Sequence, residues 1–212
     1  KNIKNDLLNL NIEEKKITEI PNTVYIEKFE KFSANKNKDK LNFITVGRFA
    51  EQKKGFDMVE KFCEDLKKRK INFLWRIVGK NASKILSENY IKNNFNHIKL
   101  IENIENIEEK YYPNSNLITL YKSSDIYINL SRVESFGITF IESLASGVPI
   151  ISFNTKGINE LIINNKNGFL ISNFSTNEFI NKIEKIYNDR IALKELSFNA
   201  KETVKKYDLN LN

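Results

Sequence analysis

Residues 41–212 predict an α/β domain with a Rossmann-like, doubly wound, mainly parallel sheet. Three observations carry that prediction. Strand-like and helix-like segments alternate from Leu41 onward. The strand segments are continuously apolar and β-branched, as sheets buried on both faces require. Glycines stand at several boundaries and stop the elements there.

Taken in order, Leu41–Val46 is a short apolar run ended by Gly47. Phe56–Lys70 places Phe56, Val59, Cys63 and Leu66 on one helical face. Ile71–Val78 reads as a second strand stopped by Gly79, Ala82–Phe95 as a helix, and His97–Ile101 as a third strand. Asn116–Ser123 is a short helix, and Asp125–Leu130 a fourth strand. Gly137–Ser146 is a helix closed by Gly147. Val148–Phe153 and Gly168–Ile171 are the fifth and sixth strands, and helices over Asn177–Asn188 and Ile191–Tyr207 finish the chain. Residues 33–40 are polar and lysine-rich, which suits a linker, so the domain is expected over 41–212 and a lead-in segment over 1–40.

Bulk composition narrows the class. Hydrophobic residues make up 41% of the 212, enough for a packed core. No apolar run reaches the ~18–20 residues of a membrane helix, and Lys1–Asn11 does not read as a secretory signal. Cys63 is the one cysteine, which excludes an internal disulfide and a multi-cysteine zinc site. It lies in an apolar-periodic segment and is expected to be a buried thiol in a cytoplasmic protein. The net charge of +7 comes from scattered lysines with no aromatic-interleaved basic stripe, so no nucleic-acid partner is expected. His97 is a lone histidine and a poor metal site, and Trp75 is expected in the core. No Gly-x-Gly-x-x-Gly and no phosphate-binding loop ending in Gly-Lys-Ser/Thr occurs, which weighs against a dinucleotide dehydrogenase and an NTPase.

Sheets of this kind bind ligands outside the carboxyl ends of their strands, so the loops after strands are the place to look. Ser131–Glu142 follows the fourth strand. Glu134 lies in the loop and Glu142 more than one turn into the helix. Between them the amides of Ser135, Phe136, Gly137, Ile138 and Thr139 form a free helix N-terminus, which suits a phosphate. Two carboxylates beside a phosphate cradle make sense if they hold hydroxyls on either side of it. A nucleotide sugar has that layout: ribose, diphosphate, hexose. In the loop after the first strand, Gly47 permits a tight turn, and Arg48 and Lys54 are two cations able to grip a diphosphate; Lys53 is expected to be exposed.

Glu134, Phe136-Gly137, Glu142 and Ala145-Ser146-Gly147-Val148-Pro149 together resemble the signature of glycosyltransferase family 4, a GT-B group of retaining enzymes. That resemblance implies a GT-B C-terminal, donor-binding domain. By the family's pattern Glu134 contacts the transferred sugar and Glu142 the ribose. Gly47-Arg48 with Lys54-Gly55 resembles the family's Gly-Arg…Lys-Gly element, so Arg48 and Lys54 are expected to neutralise the leaving diphosphate. Arg48, Lys54 and Glu134 are thus the expected catalytic residues. Gly47, Gly79, Ser135, Phe136, Gly137, Ile138, Thr139 and Glu142 complete the expected donor site, with base recognition placed in the loops after Gly79 and Ile101. Thr155–Leu161 and Asn167–Leu170 are similar to the family's Gly-Gly-Ile-Pro-Glu and Asn-Gly-Leu-Leu elements, but Lys156 and Asn159 depart from the pattern. The departures leave that loop's path open and Glu160 outside the expected site. Lys16–Asn22 and Ile26–Phe29 resemble the segment leading out of the family's N-terminal domain.

The implied activity is metal-independent, cofactor-free retaining transfer of a hexosyl-type sugar from a nucleoside-diphosphate sugar to a glycan, lipid or other acceptor. The acceptor-binding N-terminal domain lies outside the chain, so the isolated fragment is expected to be inactive. The location implied is cytoplasmic, with peripheral association at the inner membrane face open to the full enzyme. Two alternatives remain: a nucleotide-sugar epimerase of the same architecture, and a non-catalytic nucleotide-sugar-binding subunit.

Overall fold

The strands Leu41–Val46 (β1), Phe73–Val78 (β2), Ile98–Ile101 (β3), Ile126–Asn129 (β4), Ile150–Phe153 (β5) and Gly168–Ile171 (β6) form one sheet. Its order is β3-β2-β1-β4-β5-β6, and every neighbouring pair is parallel. The computed structural model describes residues 2–18, 20–49, 54–104, 112–134, 136–155 and 157–211. The helices are Asn2–Asn9 (α1), Ile26–Glu30 (α2), Val59–Lys68 (α3), Glu88–Asn93 (α4), Ser115–Lys122 (α5), Ile138–Ala145 (α6), Thr176–Asn188 (α7) and Arg190–Val204 (α8). Among the described residues no helix is long and apolar enough to cross a membrane.

Successive strand residues point to opposite faces of a sheet, and here both faces are buried. Phe43, Trp75, Ile126, Ile128 and Phe153 face α3 and α7, where Phe62, Leu66, Phe179 and Ile183 meet them. Ile44, Val78, Tyr127 and Ile150 face α5, α6 and α8, where Ile118, Ile141, Leu144 and Ala200 lie. That explains the unbroken apolar strand segments. The α3 stripe is Val59, Phe62, Cys63 and Leu66, all within 1% of full burial. Phe56, expected on that stripe, belongs to a single 3-10 turn and packs its ring on Phe49 at 4.2 Å instead. Burial pushes the Cys63 thiol up to about 12, which keeps it protonated and inert. Trp75 is fully buried, with its indole N–H donating to Thr45 Oγ1 at 3.0 Å.

Two elements differ from expectation. The helix read over 82–95 is broken into a 3-10 turn at Ala82–Lys84 and α4. Ser87 causes the break: its backbone is extended (ψ 149°) and its hydroxyl accepts the Tyr90 N–H, so it caps a new helix. The last helix ends at Val204 and passes through a 3-10 turn, Lys205–Tyr207. There the Tyr207 carbonyl accepts the Val24 N–H at 3.0 Å, and Leu209 N–H donates to the Val24 carbonyl at 2.9 Å. Phe29, from α2, is completely buried in the same core layer. Part of the lead-in segment therefore packs onto the domain.

Candidate functional site

From β1 the chain winds outward to β2 and β3, and from β4 it winds the other way to β5 and β6. The loops leaving the carboxyl ends of β1 and β4 therefore diverge and open a crevice between them. The loops after β1, β2 and β4 lie at this end of the sheet, whereas Ala145–Pro149 and Asn167–Leu170 lead into β5 and β6 at the other.

At the end of β1, Gly47 N–H donates to the Val78 carbonyl at 3.0 Å. A Cβ added to Gly47 would meet nothing within 4 Å, so no protein atom demands glycine there. Arg48, next along, is exposed and makes no hydrogen bond or ion pair among the described residues. Gly79, at the end of β2, has φ +134°, and a Cβ there would lie 2.0 Å from the Gly47 carbonyl oxygen. Gly79→Ala is expected to destabilise the domain by about 2–4 kcal/mol, measured as a lowered denaturant midpoint; an unchanged midpoint would show that this approach does not constrain the site.

Lys54 reaches the end of β4 because Gly55 lets the backbone come close. Gly55 has φ +71°, and a Cβ there would lie 2.0 Å from the Leu130 carbonyl oxygen. Lys54 Nζ then lies 2.6 Å from Glu134 Oε1, with side-chain exposures of 32% and 12%. The two charged groups expected to touch different parts of one ligand are thus paired with each other. On the outer side, Arg132 grips Asp57 with both guanidinium nitrogens, at 2.8 and 2.7 Å, and ties the β4 loop to the turn before α3.

The first turn of α6 faces the same opening. Gly137 is its N-cap and offers no side-chain cap, so the leading amides depend on solvent or a ligand. The Tyr127 hydroxyl lies 2.9 Å from the Val46 carbonyl oxygen and 3.1 Å from Thr139 Oγ1, joining the end of β1 to this helix. Ile138 is partly exposed, while the Phe136 ring is taken up in packing on Tyr207, 5.7 Å between centroids. Ser135, Lys53 and Lys156 lie outside the described residues.

Glu142 sits one turn further in and is completely buried. Tyr121 donates its hydroxyl to Glu142 Oε2 at 2.8 Å, while Oε1 is buried with no hydrogen-bond partner among the described residues. Burial pushes the carboxyl up to about 7, and the Tyr121 hydrogen bond opposes that rise. An unpartnered buried acceptor is costly, and a hydroxyl donor from a ligand would satisfy it. Sequence reasoning missed two neighbours. Tyr121 was assigned to no role, although a buried tyrosine hydroxyl needs an acceptor. Burial raises the Tyr112 phenol, the charge of Glu142 adds to the rise and the charge of Arg48 opposes it. No local pattern marks Tyr112.

Chemically, the crevice gathers two cations and a helix N-terminus, with one carboxylate at the loop and another below the helix start. The family described as glycosyl transferases group 1 matches residues 26–203. A glycosyltransferase from Methanocaldococcus jannaschii is 28% identical over 173 residues, covering 81% of this chain and 45% of that protein. The chain spans about half the length of the curated relatives it matches. The crystal structure of a glycosyltransferase from Rickettsia africae superposes with a TM-score of 0.80 at 24% identity, covering 99% of this chain and 58% of that one. The Anabaena protein HepE, solved in complex with UDP and glucose, superposes with a TM-score of 0.74 at 15% identity, covering 97% of this chain and 56% of that one. The six-stranded parallel sheet is thus that of GT-B glycosyltransferases.

Proposed function

Because the chain belongs to the group 1 glycosyltransferases, we propose that its crevice binds a nucleoside-diphosphate sugar and that the complete enzyme transfers the sugar with retention and without a metal. The observation that supports this best is the Lys54–Glu134 ion pair at the switch point of the sheet, where Arg48 follows β1 and α6 follows the β4 loop. In this reading the diphosphate lies over the open face of Gly47 and against the α6 amides. Arg48 and Lys54 balance its charge. Ribose hydroxyls donate to the free oxygen of Glu142, and Glu134 turns from Lys54 to the hydroxyls of the sugar.

The hard step is departure of the nucleoside diphosphate as negative charge grows on its β-phosphate. Fixed cations and amides facing that charge lower the barrier because they need little reorganisation. No covalent role is given to Glu134; its part is to orient the sugar. The acceptor site is assigned to sequence outside these 212 residues, so this chain alone is expected to bind donor and transfer nothing. A cytoplasmic location, at the inner membrane face for the complete enzyme, belongs to the same proposal.

Calorimetric titration of the chain with UDP-, GDP- and ADP-sugars tests the binding claim, and failure of all three to bind would refute it. The Lys54–Glu134 pair adds a sharper expectation. Glu134→Gln releases Lys54, so a sugar-free nucleoside diphosphate should bind this variant about 3- to 10-fold more tightly than the parent, while transfer by the complete enzyme falls. Weaker diphosphate binding in Glu134→Gln would show that Glu134 does not compete for Lys54.

A further inference from the structure

We propose that a cavity at the amino-terminal edge of the sheet is a second anion site, built for a ligand carrying two or more phosphate-like groups. The cavity has a volume of about 920 Å³. Its walls are the segment before β1, Asp125 just ahead of β4, and the first two turns of α8. The donor crevice lies beyond the opposite ends of the same strands. Six residues of β1 span about 20 Å, so one ligand of nucleotide-sugar size does not serve both places.

Charge distinguishes this cavity from ordinary lysine-rich surface. Four of its ten lining residues are Lys36, Lys38, Arg190 and Lys194, against 34 Lys and Arg in 212 for the whole chain. The one carboxylate among them, Asp125, is already engaged. Its Oδ2 accepts the Asn42 backbone N–H at 2.8 Å and the Asn42 side-chain amide at 2.9 Å, and its Oδ1 lies 3.4 Å from Lys36 Nζ. Lys38 and Lys194 make no ion pair or hydrogen bond among the described residues, and Arg190 stands over the Tyr187 ring at 5.7 Å. Three cations around one hollow are therefore left without a counter-charge.

The field extends beyond the walls. Lys122 is pushed below its ordinary value by burial and by the charge of Lys201, with Lys36 adding to the effect and Glu30 opposing it. Like charges held together oppose the compact state, and none of Lys38, Arg190 or Lys194 contributes to either core layer. A multivalent anion relieves this repulsion, and Arg190 offers the planar fork that suits phosphate oxygens. The phosphates could belong to a free molecule or to an anionic lipid headgroup, which share this chemistry.

The test uses the whole chain carrying Arg48→Ala and Lys54→Ala, which silences the donor crevice. Inorganic pyrophosphate is titrated by calorimetry, and vesicles containing cardiolipin, whose headgroup carries two phosphates, are compared with phosphatidylcholine vesicles by co-sedimentation at 0.15 M salt. Each measurement is repeated after adding Lys38→Ala, Arg190→Ala and Lys194→Ala. The expected result is saturable binding that weakens at least about tenfold when the three cations are removed, with thermal unfolding unchanged or raised. Pyrophosphate binding identifies a free anion, and binding to the anionic vesicles alone identifies a headgroup. Binding that survives the three substitutions, or no binding to either probe, overturns the proposal.

Discussion

Replacing Lys54 by alanine in the complete enzyme should lower kcat by about 10²–10³-fold, with a smaller change in KM. Lys54 is one of two cations at the end of β1 and β4, and the structure holds its ammonium 2.6 Å from Glu134. In the proposed reaction its charge matters most when the diphosphate leaves, so the loss falls on the transition state more than on ground-state binding. The substitution also strands Glu134, which is only 12% exposed and loses the ammonium that pairs with it. A repelling carboxylate then faces the incoming diphosphate. Lys54→Ala/Glu134→Gln separates the two contributions: it should recover diphosphate binding and leave kcat low. Steady-state kinetics of the three proteins decides the matter. Turnover at the parental rate in Lys54→Ala would remove Lys54 from the mechanism.

The second large effect is on stability and its dependence on pH, through Glu142. In the unfolded chain this carboxyl titrates near 4.5, and in the folded protein burial pushes it up to about 7. The folded state therefore holds the proton over a pH range where the unfolded state has released it, and stability falls as pH rises from about 4.5 to 7. Above that range the loss is complete, on the order of 3 kcal/mol. Glu142→Gln carries no such charge. Its stability relative to the parent should rise by roughly that amount between pH 5 and pH 8, measured by denaturant unfolding at both values. An equal difference at the two pH values would show that the carboxyl does not titrate in this window. The same group links pH to ligand. A ribose hydroxyl donating to Oε1 favours the charged carboxylate, so donor binding near pH 6.5 should release protons. Calorimetry in buffers of different ionisation enthalpy reads that release, and identical heats would argue against a ribose at Glu142.

Much of the fold was legible in the sequence because its signals are local. Leu41–Val46 and Gly168–Ile171 coincide with β1 and β6 residue for residue. Their bounds follow from apolar runs meeting glycine or a polar turn, and α3 follows from a 3.6-residue period. The 82–95 segment misled because its apolar spacing is helical, while one serine hydroxyl competes for the backbone and splits the helix. In the site, Glu134, Glu142, Arg48 and Lys54 stood out by type and spacing. What no spacing carries is that Glu142 is buried with Tyr121 on one oxygen and no described residue on the other. Nor does any spacing carry that Lys54 meets Glu134.

The sequence by itself determined the α/β class and the bounds of several strands, and it marked the residue types to which the proposed function assigns a diphosphate and hydroxyls. Those are properties of short windows, where periodicity, turn residues and charge act within a few positions. The tertiary structure alone decided which groups are partners. Lys54 and Glu134 are 80 residues apart, and Asn42 and Asp125 are 83 apart. Both pairs exist because β4 returns to lie beside β1, so that one strand order puts the proposed donor crevice at one end of the two strands and the basic cavity at the other.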